Sequence, residues 1–284
     1  MKRLSKKEQL ALLDKPNAVQ IMQDYVARGG DFLFASHRKI LNSSPESFVT
    51  ILSYTDEICD DQLEIFNNLT FEDAKEIMFN VGHIYPETWN KMLDIFPKDL
   101  AKELLLKYAE NCHIWEETFT KIFGTYSKEE AKEIIIAEGS MHSALLEKIL
   151  KIYPLEEVKS ILAQIAKCDV GFDENTQLMI MDIFDNKDAK ELLSIGIENT
   201  SGLEEFALIK IFVVFDKDDL KDLLMLCAKN DVYLSKEILE LVIAKFSKEE
   251  AREIIETFFK GNCGSNFFGD ADKERIFSLL AKKK

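Results

Sequence analysis

Histidine and cysteine are the side chains that most often hold metals or act as nucleophiles, and this chain has few of either. It contains four histidines and five cysteines among 284 residues. The cysteines form no CxxC pair, and their odd number does not suit a disulfide framework. We therefore expect reduced thiols. His83, His113 and His142 stand about 30 residues apart. We expect them on successive packed helix pairs, whose separation is too large for the three side chains to share one metal. No metal site and no cofactor are predicted.

Motifs of known enzyme classes are also missing from the sequence. It contains no HExxH, GxSxG, GxGxxG or P-loop pattern. The glycine-rich segment 261–269 has no strand before it and no GK[ST] after it, so it predicts an irregular capping loop. Phe267 and Phe268 in that loop would either cover the end of the fold or hook a partner. An enzyme of unrecognised type remains an alternative.

A repeated motif of the type Ala-Lys-Glu-Leu-Leu organises the chain. Its first residue stands at Ala18, Phe48, Ala74, Ala101, Ala131, Val158, Ala189, Leu220 and Ala251. The steps between these anchors are 26 to 31 residues long. A period of this length predicts two short helices and two turns per repeat.

Residues just before each anchor support this register. The position four residues earlier is an N-cap type in seven repeats, namely Asp14, Ser44, Thr70, Ser127, Asp185, Asp216 and Ser247. The position five residues earlier is aromatic in six successive repeats, namely Phe96, Tyr126, Tyr153, Phe184, Phe215 and Phe246. An apolar side chain here packs on the first helical turn. We expect the aromatics to form core between repeats; an aromatic binding ladder is the alternative.

The fold predicted from this pattern is all-α, a right-handed α-solenoid of about nine two-helix repeats. We expect one solenoid domain over residues 1–284. Residues 1–43 would cap its N-terminal end, 44–246 would form the regular repeats, and 247–284 would form an atypical C-terminal capping repeat.

The motif S/T/D-x-x-[ED]-A-K-E-[IL]-[IL], with its aromatic end, resembles the helical repeats of HEAT- and armadillo-like solenoids over about residues 14–280. The repeats are shorter than in those families and lack a HEAT-type Asp/Arg ladder. The resemblance implies a binding scaffold. The start Tyr126-Ser127-Lys128-Glu129-Glu130 is also similar to DNA-binding helical repeats such as mitochondrial termination factors, which are basic proteins.

The charge balance favours some partners over others. Lys and Arg number 36 against 51 Asp and Glu, for a net charge of −15. Both ends are basic, so residues 8–281 carry −22. This disfavours nucleic acid, whose binding needs a basic surface, and favours a basic protein partner. No apolar run is long enough to span a membrane.

Acid–base pairs at i,i+3 spacing recur in the first helix of the repeats and predict a solvated, self-paired face. These pairs are Glu72/Lys75, Asp99/Lys102, Glu129/Lys132, Glu156/Lys159, Asp218/Lys221 and Glu249/Arg252. Partner binding is expected on the second helix of each repeat, where the sequence varies most. The candidate contacts are Trp89, Trp115, Glu116, Glu117, Asp173, Glu174, Glu204 and Glu205. For the two tryptophans, packing in the core is the alternative role.

The function predicted from these observations is a non-enzymatic scaffold or adaptor that binds a protein partner on its acidic surface. A nucleic-acid-binding protein, or an acidic mimic of nucleic acid, is the main alternative. The N-terminus has a basic start with no apolar stretch behind it, so we expect no secretion signal and a cytoplasmic location.

Overall fold

The computed structural model describes residues 5–12, 21, 24–25, 57–58, 83–84, 86–109, 113–168, 170–199 and 202–283. In this part the chain is almost wholly helical, which confirms the predicted all-α class. It divides into two units, Met1–Glu138 and Gly139–Lys284. The anchors Ala18, Phe48 and Ala74 lie outside the described residues.

The first unit contains helices of about ten residues and two short strands. Its elements are α1 (Lys6–Leu12), β1 (Glu57–Ile58), β2 (His83–Ile84), α2 (Pro86–Ile95), α3 (Lys98–Ala109), α4 (Glu116–Thr125) and α5 (Lys128–Glu138). Helix α2 packs on α4, and α3 packs on α5. In both of these pairs, the two packed helices are separated in the sequence by one other helix.

The second unit repeats this arrangement. It begins with β3 (Ser140–Met141), α6 (Ser143–Ile152), α7 (Leu155–Ile165), β4 (Gly171–Phe172), α8 (Glu174–Ile183) and α9 (Asn186–Asn199). It continues with α10 (Glu205–Val214), α11 (Lys217–Lys229), α12 (Lys236–Lys245), α13 (Lys248–Lys260), α14 (Asn262–Phe267) and α15 (Asp270–Lys282). Helix α8 packs on α6 and α10, while α7, α9, α11 and α13 pack in succession.

We call the helices that carry the repeated motif A helices (α3, α5, α7, α9, α11 and α13) and those that precede them B helices (α2, α4, α6, α8, α10 and α12). Each B helix joins its A helix through two residues, an aromatic residue and a cap. The six aromatics are all buried, and each donates its backbone N–H to the carbonyl four residues earlier. The prediction that they belong to the core is confirmed.

The caps follow the sequence pattern closely. Ser247 and Glu250 form the predicted capping box, and Ser127 and Glu130 exchange the same two hydrogen bonds. The side chain of Asp216 accepts from two backbone N–H groups of the first turn. These bonds satisfy N–H groups that a helix start otherwise leaves unpaired. The six anchors from Ala101 to Ala251 are almost fully buried in the core that the helices share.

Short parallel strands pair in both units, with Glu57 and Ile58 opposite His83 and Ile84, and Ser140 and Met141 opposite Gly171 and Phe172. The second pair joins the connection from α5 to α6 with that from α7 to α8. The side chain of Gln177 links α8 to the connection between α9 and α10. Its Oε1 accepts from Glu204 N at 3.0 Å, and its Nε2 donates to Gly202 O at 3.1 Å. This explains why a glutamine occupies a core position of α8.

The chain end differs from the predicted irregular loop. Residues 262–267 form the short helix α14, which packs on α13. Gly264 allows this close approach, since a Cβ there would lie 2.3 Å from the Phe258 carbonyl oxygen. Phe268 is buried among Phe258, Phe259 and Tyr233, whereas Phe267 is 67% exposed. Phe268 therefore belongs to the core, while a partner-hooking role remains a prediction for the exposed Phe267.

Candidate functional site

The outward side of the A helices is a ladder of ion pairs between successive helices. The lysines that directly follow the anchors pair as Lys102 to Glu133 at 2.5 Å, Lys159 to Asp188 at 2.6 Å and Glu191 at 2.8 Å, Lys190 to Asp219 at 2.6 Å and Asp222 at 2.7 Å, and Lys221 to Glu253 at 2.8 Å. These acids stand on the next A helix, not three residues earlier on the same helix as the spacing predicted. The difference arises because neighbouring helices bring equivalent turns within reach of a long lysine side chain.

The ion pairs of the ladder raise the pKa of a lysine and lower the pKa values of glutamates, so that both partners stay charged. Hydrogen bonds to Asp188 and Glu191 raise the pKa of Lys159 above its usual value. Hydrogen bonds from Ser127 and Lys98 lower the pKa of Glu130 to about 2, and those from Lys217 and Ser247 do the same for Glu250. The lysines of the ladder, such as Lys102, Lys159 and Lys190, are thus each engaged with a carboxylate of the next A helix.

The outward side of the B helices is built on a different pattern. The second, fifth and ninth residues of these helices lie on one side of the helix, and in α4, α10 and α12 all three are exposed. In α4, α8 and α12, eight of the nine side chains at these positions are polar or small, and the exception is the half-buried Leu178. The eight are Glu117, Thr120 and Gly124 in α4, Asn175 and Asp182 in α8, and Glu237, Glu240 and Ala244 in α12.

Helix α10 breaks this pattern. Its second, fifth and ninth residues are Phe206, Ile209 and Val213, which are 65%, 40% and 84% exposed. We call these three residues the α10 stripe. Positions i, i+3 and i+7 share one side of a helix, so the stripe is a continuous apolar strip about 10 Å long. Exposed apolar patches of this kind mark interaction sites more often than isolated apolar residues do.

Neighbouring helices hold α10 in place on both sides of the stripe. On the α8 side, Lys210 pairs with Asp182 at 2.6 Å and donates to Leu178 O at 3.0 Å. The backbone N–H of Phe206 donates to Glu174 Oε1 at 2.9 Å. On the α12 side, Lys245 donates to Phe212 O at 3.5 Å. The stripe therefore lies on a supported helix with a defined orientation.

An acidic cavity adjoins the N-terminal end of α10. It has a volume of about 280 Å³ and is lined by Leu203, Glu204, Glu205, Leu208, Val232, Tyr233 and Ser235. Glu204 precedes the helix and makes no side-chain cap bond. Within the described residues, neither Glu204 nor Glu205 forms an ion pair. Tyr233, 47% exposed, adds an aromatic ring that packs edge-on against Phe267.

The other predicted acids have mixed surroundings. Asp173 caps α8 by accepting from Thr176 N at 2.7 Å, and its second oxygen lies 3.7 Å from His142 Nδ1. Glu174 is bonded to the backbone of α10. Glu116 and Glu117 lie in the first turn of α4, where Glu117 is exposed and lines a shallow groove of about 410 Å³ with Lys121. Asp173 and Glu174 therefore serve the fold as well as the surface.

The two tryptophans have opposite environments. Trp115 directly precedes α4 and is 47% exposed, so it can still contact a partner. Trp89 is fully buried in α2, with its ring edge-on to Tyr108 at 5.2 Å. The prediction of Trp89 as a partner-binding residue is therefore wrong, because its position in the helix points into the core.

The histidines and cysteines form no common site in the part of the chain that the structure describes. There, no three His, Cys, Asp or Glu side chains lie together in a way that could hold a metal. His113 Nδ1 lies 3.0 Å from the buried carboxylate of Glu138, which also accepts from Ile114 N at 2.8 Å. Cys227 is fully buried, and burial raises the pKa of its thiol to about 12. Cys168 is half-buried.

The α10 stripe was missed in the sequence although a signal for it existed. Eight of the ten residues of α10 are apolar, whereas a helix packed on one side needs only a stripe of apolar residues. Among the six B helices, α10 alone has large apolar residues at its second, fifth and ninth positions. Tryptophans and acids, the residue types chosen as candidates in the sequence, do not reveal this difference.

No protein-family model matches the sequence, and no curated protein is significantly similar to it. Among the described residues, no helix is both long enough and apolar enough to cross a membrane. The described helices, packed side by side, are compatible with a helical-repeat architecture.

Proposed function

We propose that this protein is a non-enzymatic scaffold or adaptor that binds a protein partner on the outward side of its B helices. The observation that carries the proposal is the contrast between the two helix sets. Lysines of the A helices pair with carboxylates of the next A helix, whereas α10 and its surroundings present exposed apolar side chains together with carboxylates that have no ion-pair partner among the described residues.

The chemistry of this surface supports a basic partner. Glu204, Glu205 and Glu237 are exposed and form no ion pair within the described part of the chain. The whole chain carries −15. A positively charged partner would be steered to such a surface and would supply the missing counter-charges. Nucleic acid, being anionic, would be repelled.

We also propose that the repeats form a right-handed α-solenoid of about nine two-helix units, in the manner of HEAT- and armadillo-like proteins. Within each unit, A helices pack on A helices, as α7, α9, α11 and α13 do, and B helices pack on B helices, as α6, α8 and α10 do, which supports this arrangement. Small-angle scattering tests it, because a globular chain of this length would have a radius of gyration of about 19 Å. An extended solenoid must exceed that value clearly.

The test of the proposed function is affinity capture from extract of the native source, with and without nuclease and at two salt concentrations. We expect a protein partner that survives nuclease treatment and is lost at high salt. Capture that disappears with nuclease would favour a nucleic-acid binder. A partner that normally binds nucleic acid, and is released by it in competition, would identify the protein as an acidic mimic.

A further inference from the structure

The α10 stripe and the acids around it specify more than a generic acidic surface. We infer that they are the docking site for a basic amphipathic helix of a partner protein, an inference that rests on the proposed binding function. The apolar side of that helix would lie on Phe206, Ile209 and Val213. Its lysines or arginines would face the surrounding carboxylates.

The geometry of the stripe suits a helical occupant. Its three side chains cover about 10 Å along α10, the length over which a helix presents its own residues i, i+3 or i+4, and i+7. The flanking helix α8 adds a half-buried leucine, Leu178, whose carbonyl accepts from Lys210 of α10 at 3.0 Å. The apolar contact therefore rests mainly on the α10 stripe itself.

The charges around the stripe select the sign of the occupant. Glu204 and Glu205 lie at its N-terminal end, with Glu237 and Glu240 on α12 and Asp182 on α8. Asp182 is already paired with Lys210, and Glu240 lies 3.6 Å from Arg275. Glu204, Glu205 and Glu237 have no such pairing in the described residues. A basic helix would pair with these three carboxylates at the edge of the apolar contact.

The same charges argue against the other occupants of an apolar strip. A second copy of this chain would bring two equivalent sets of acids together, because a two-fold dimer places the same patch on both sides. An anionic membrane surface would be repelled by the carboxylates. A basic amphipathic helix satisfies both the apolar strip and its acidic surroundings.

The experiment is a selection of helical peptides from a random display library against the full-length chain at about 0.15 M salt. Selected peptides are then titrated by fluorescence anisotropy against wild type, the double variant Phe206→Ser/Val213→Ser, and the control Leu155→Ser. Leu155 is 46% exposed on the A helix α7, so it matches the loss of an exposed apolar side chain elsewhere. Circular dichroism verifies that all three proteins are folded.

We expect peptides with apolar residues at helical spacing and an excess of Lys and Arg. Their affinity should fall tenfold or more in the double variant and change less than twofold in Leu155→Ser. Acidic or uncharged peptides, no enriched peptide, or peptides insensitive to the double variant would overturn the inference. So would flotation with phosphatidylglycerol vesicles, or dimerisation in sedimentation, that the double variant abolishes.

The capture experiment separates this inference from the proposed function. A captured partner that binds the double variant as tightly as wild type would remove the docking site and leave the scaffold function standing. Selected basic peptides that require the stripe, combined with an extract that yields no protein partner, would support the docking site and contradict the scaffold function.

Discussion

The A helices and the B helices come from the same repeat and bury similar apolar cores, yet their outward sides differ. On the A side, lysines such as Lys159 and Lys190 each bond two carboxylates of the next A helix. On the B side, α10 exposes Phe206 and Val213, and Glu205 has no ion-pair partner among the described residues. A surface whose charges are already paired has little left for a ligand, whereas unpaired acids beside apolar side chains gain from binding.

The largest expected effect is the loss of stability when a buried phenylalanine is truncated, compared with an exposed phenylalanine. Phe246 is 1% exposed and Phe206 is 65% exposed. We expect Phe246→Ala to lower the free energy of unfolding by about 3–5 kcal/mol, as for other buried aromatics. Phe206→Ala should change it by less than about 0.5 kcal/mol. Urea unfolding measures both. Equal losses in the two variants would mean that the α10 stripe is part of the core.

The next effect concerns binding on the two sides. Glu204→Lys/Glu205→Lys should weaken a captured basic partner by about tenfold, or about 1.4 kcal/mol, and should reduce the salt dependence of binding. The matched control is Asp222→Lys on the A helix α11, where the aspartate is 69% exposed. Titration calorimetry gives both affinities. A greater loss for Asp222→Lys would place the partner on the A side.

A smaller effect is expected for the A-helix ladder itself. Lys190 and Asp219 are 2.6 Å apart, and both remain partly exposed. A double-mutant cycle with Lys190→Met and Asp219→Asn should give a coupling energy below about 1 kcal/mol that shrinks at 1 M salt. Denaturant unfolding of the four proteins measures it. A coupling unaffected by salt would contradict a solvent-exposed ion pair.

The smallest effect is a titration shift at a capping box. Hydrogen bonds from Lys217 and Ser247 lower the pKa of Glu250 to about 2. Because the folded pKa is lower than the unfolded one, this contribution to stability is complete above about pH 4.5 and is lost as the pH falls toward 2. Lys217→Met should raise the pKa of Glu250 toward its usual value and reduce that acid dependence.

NMR titration of the Glu250 carboxyl carbon gives the pKa directly. The control is Lys229→Met, at the exposed end of the same helix α11. We expect the pKa of Glu250 to stay near 2 in this control. A pKa that is equally low in Lys217→Met would mean that Ser247 alone holds the carboxylate ionised.

The periodic features of the fold were predictable because they depend on local chemistry. The capping boxes at Ser127 and Ser247, the buried aromatics and the buried anchors all follow from helix-start chemistry and apolar spacing. The ion-pair partners of Lys102 and Lys159 could not be predicted, because spacing along one helix does not tell which neighbouring helix supplies the nearer carboxylate. The helix α14 was hidden by Gly264 and by the glycines on either side of it, Gly261 and Gly269, although Gly264 is needed for the contact with α13.

The candidate surface was predictable only in part. Acids on the B helices were expected, and Glu204 and Glu205 do line an exposed cavity. Trp89 was misplaced because residue type alone does not tell which side of a helix faces the core. The α10 stripe becomes visible only when each B-helix position is known to face solvent, which requires the packing of all six helices.

The most direct test of the central claim is carboxylate footprinting of the full-length chain with and without a captured partner. Carbodiimide labelling read by mass spectrometry reports the accessibility of each acid. We predict protection of Glu204, Glu205 and Glu237 around the α10 stripe, while Glu191 and Asp222 on the A helices stay as reactive as in the free protein. Protection of Glu191 and Asp222, with the three B-side glutamates still reactive, would contradict the account.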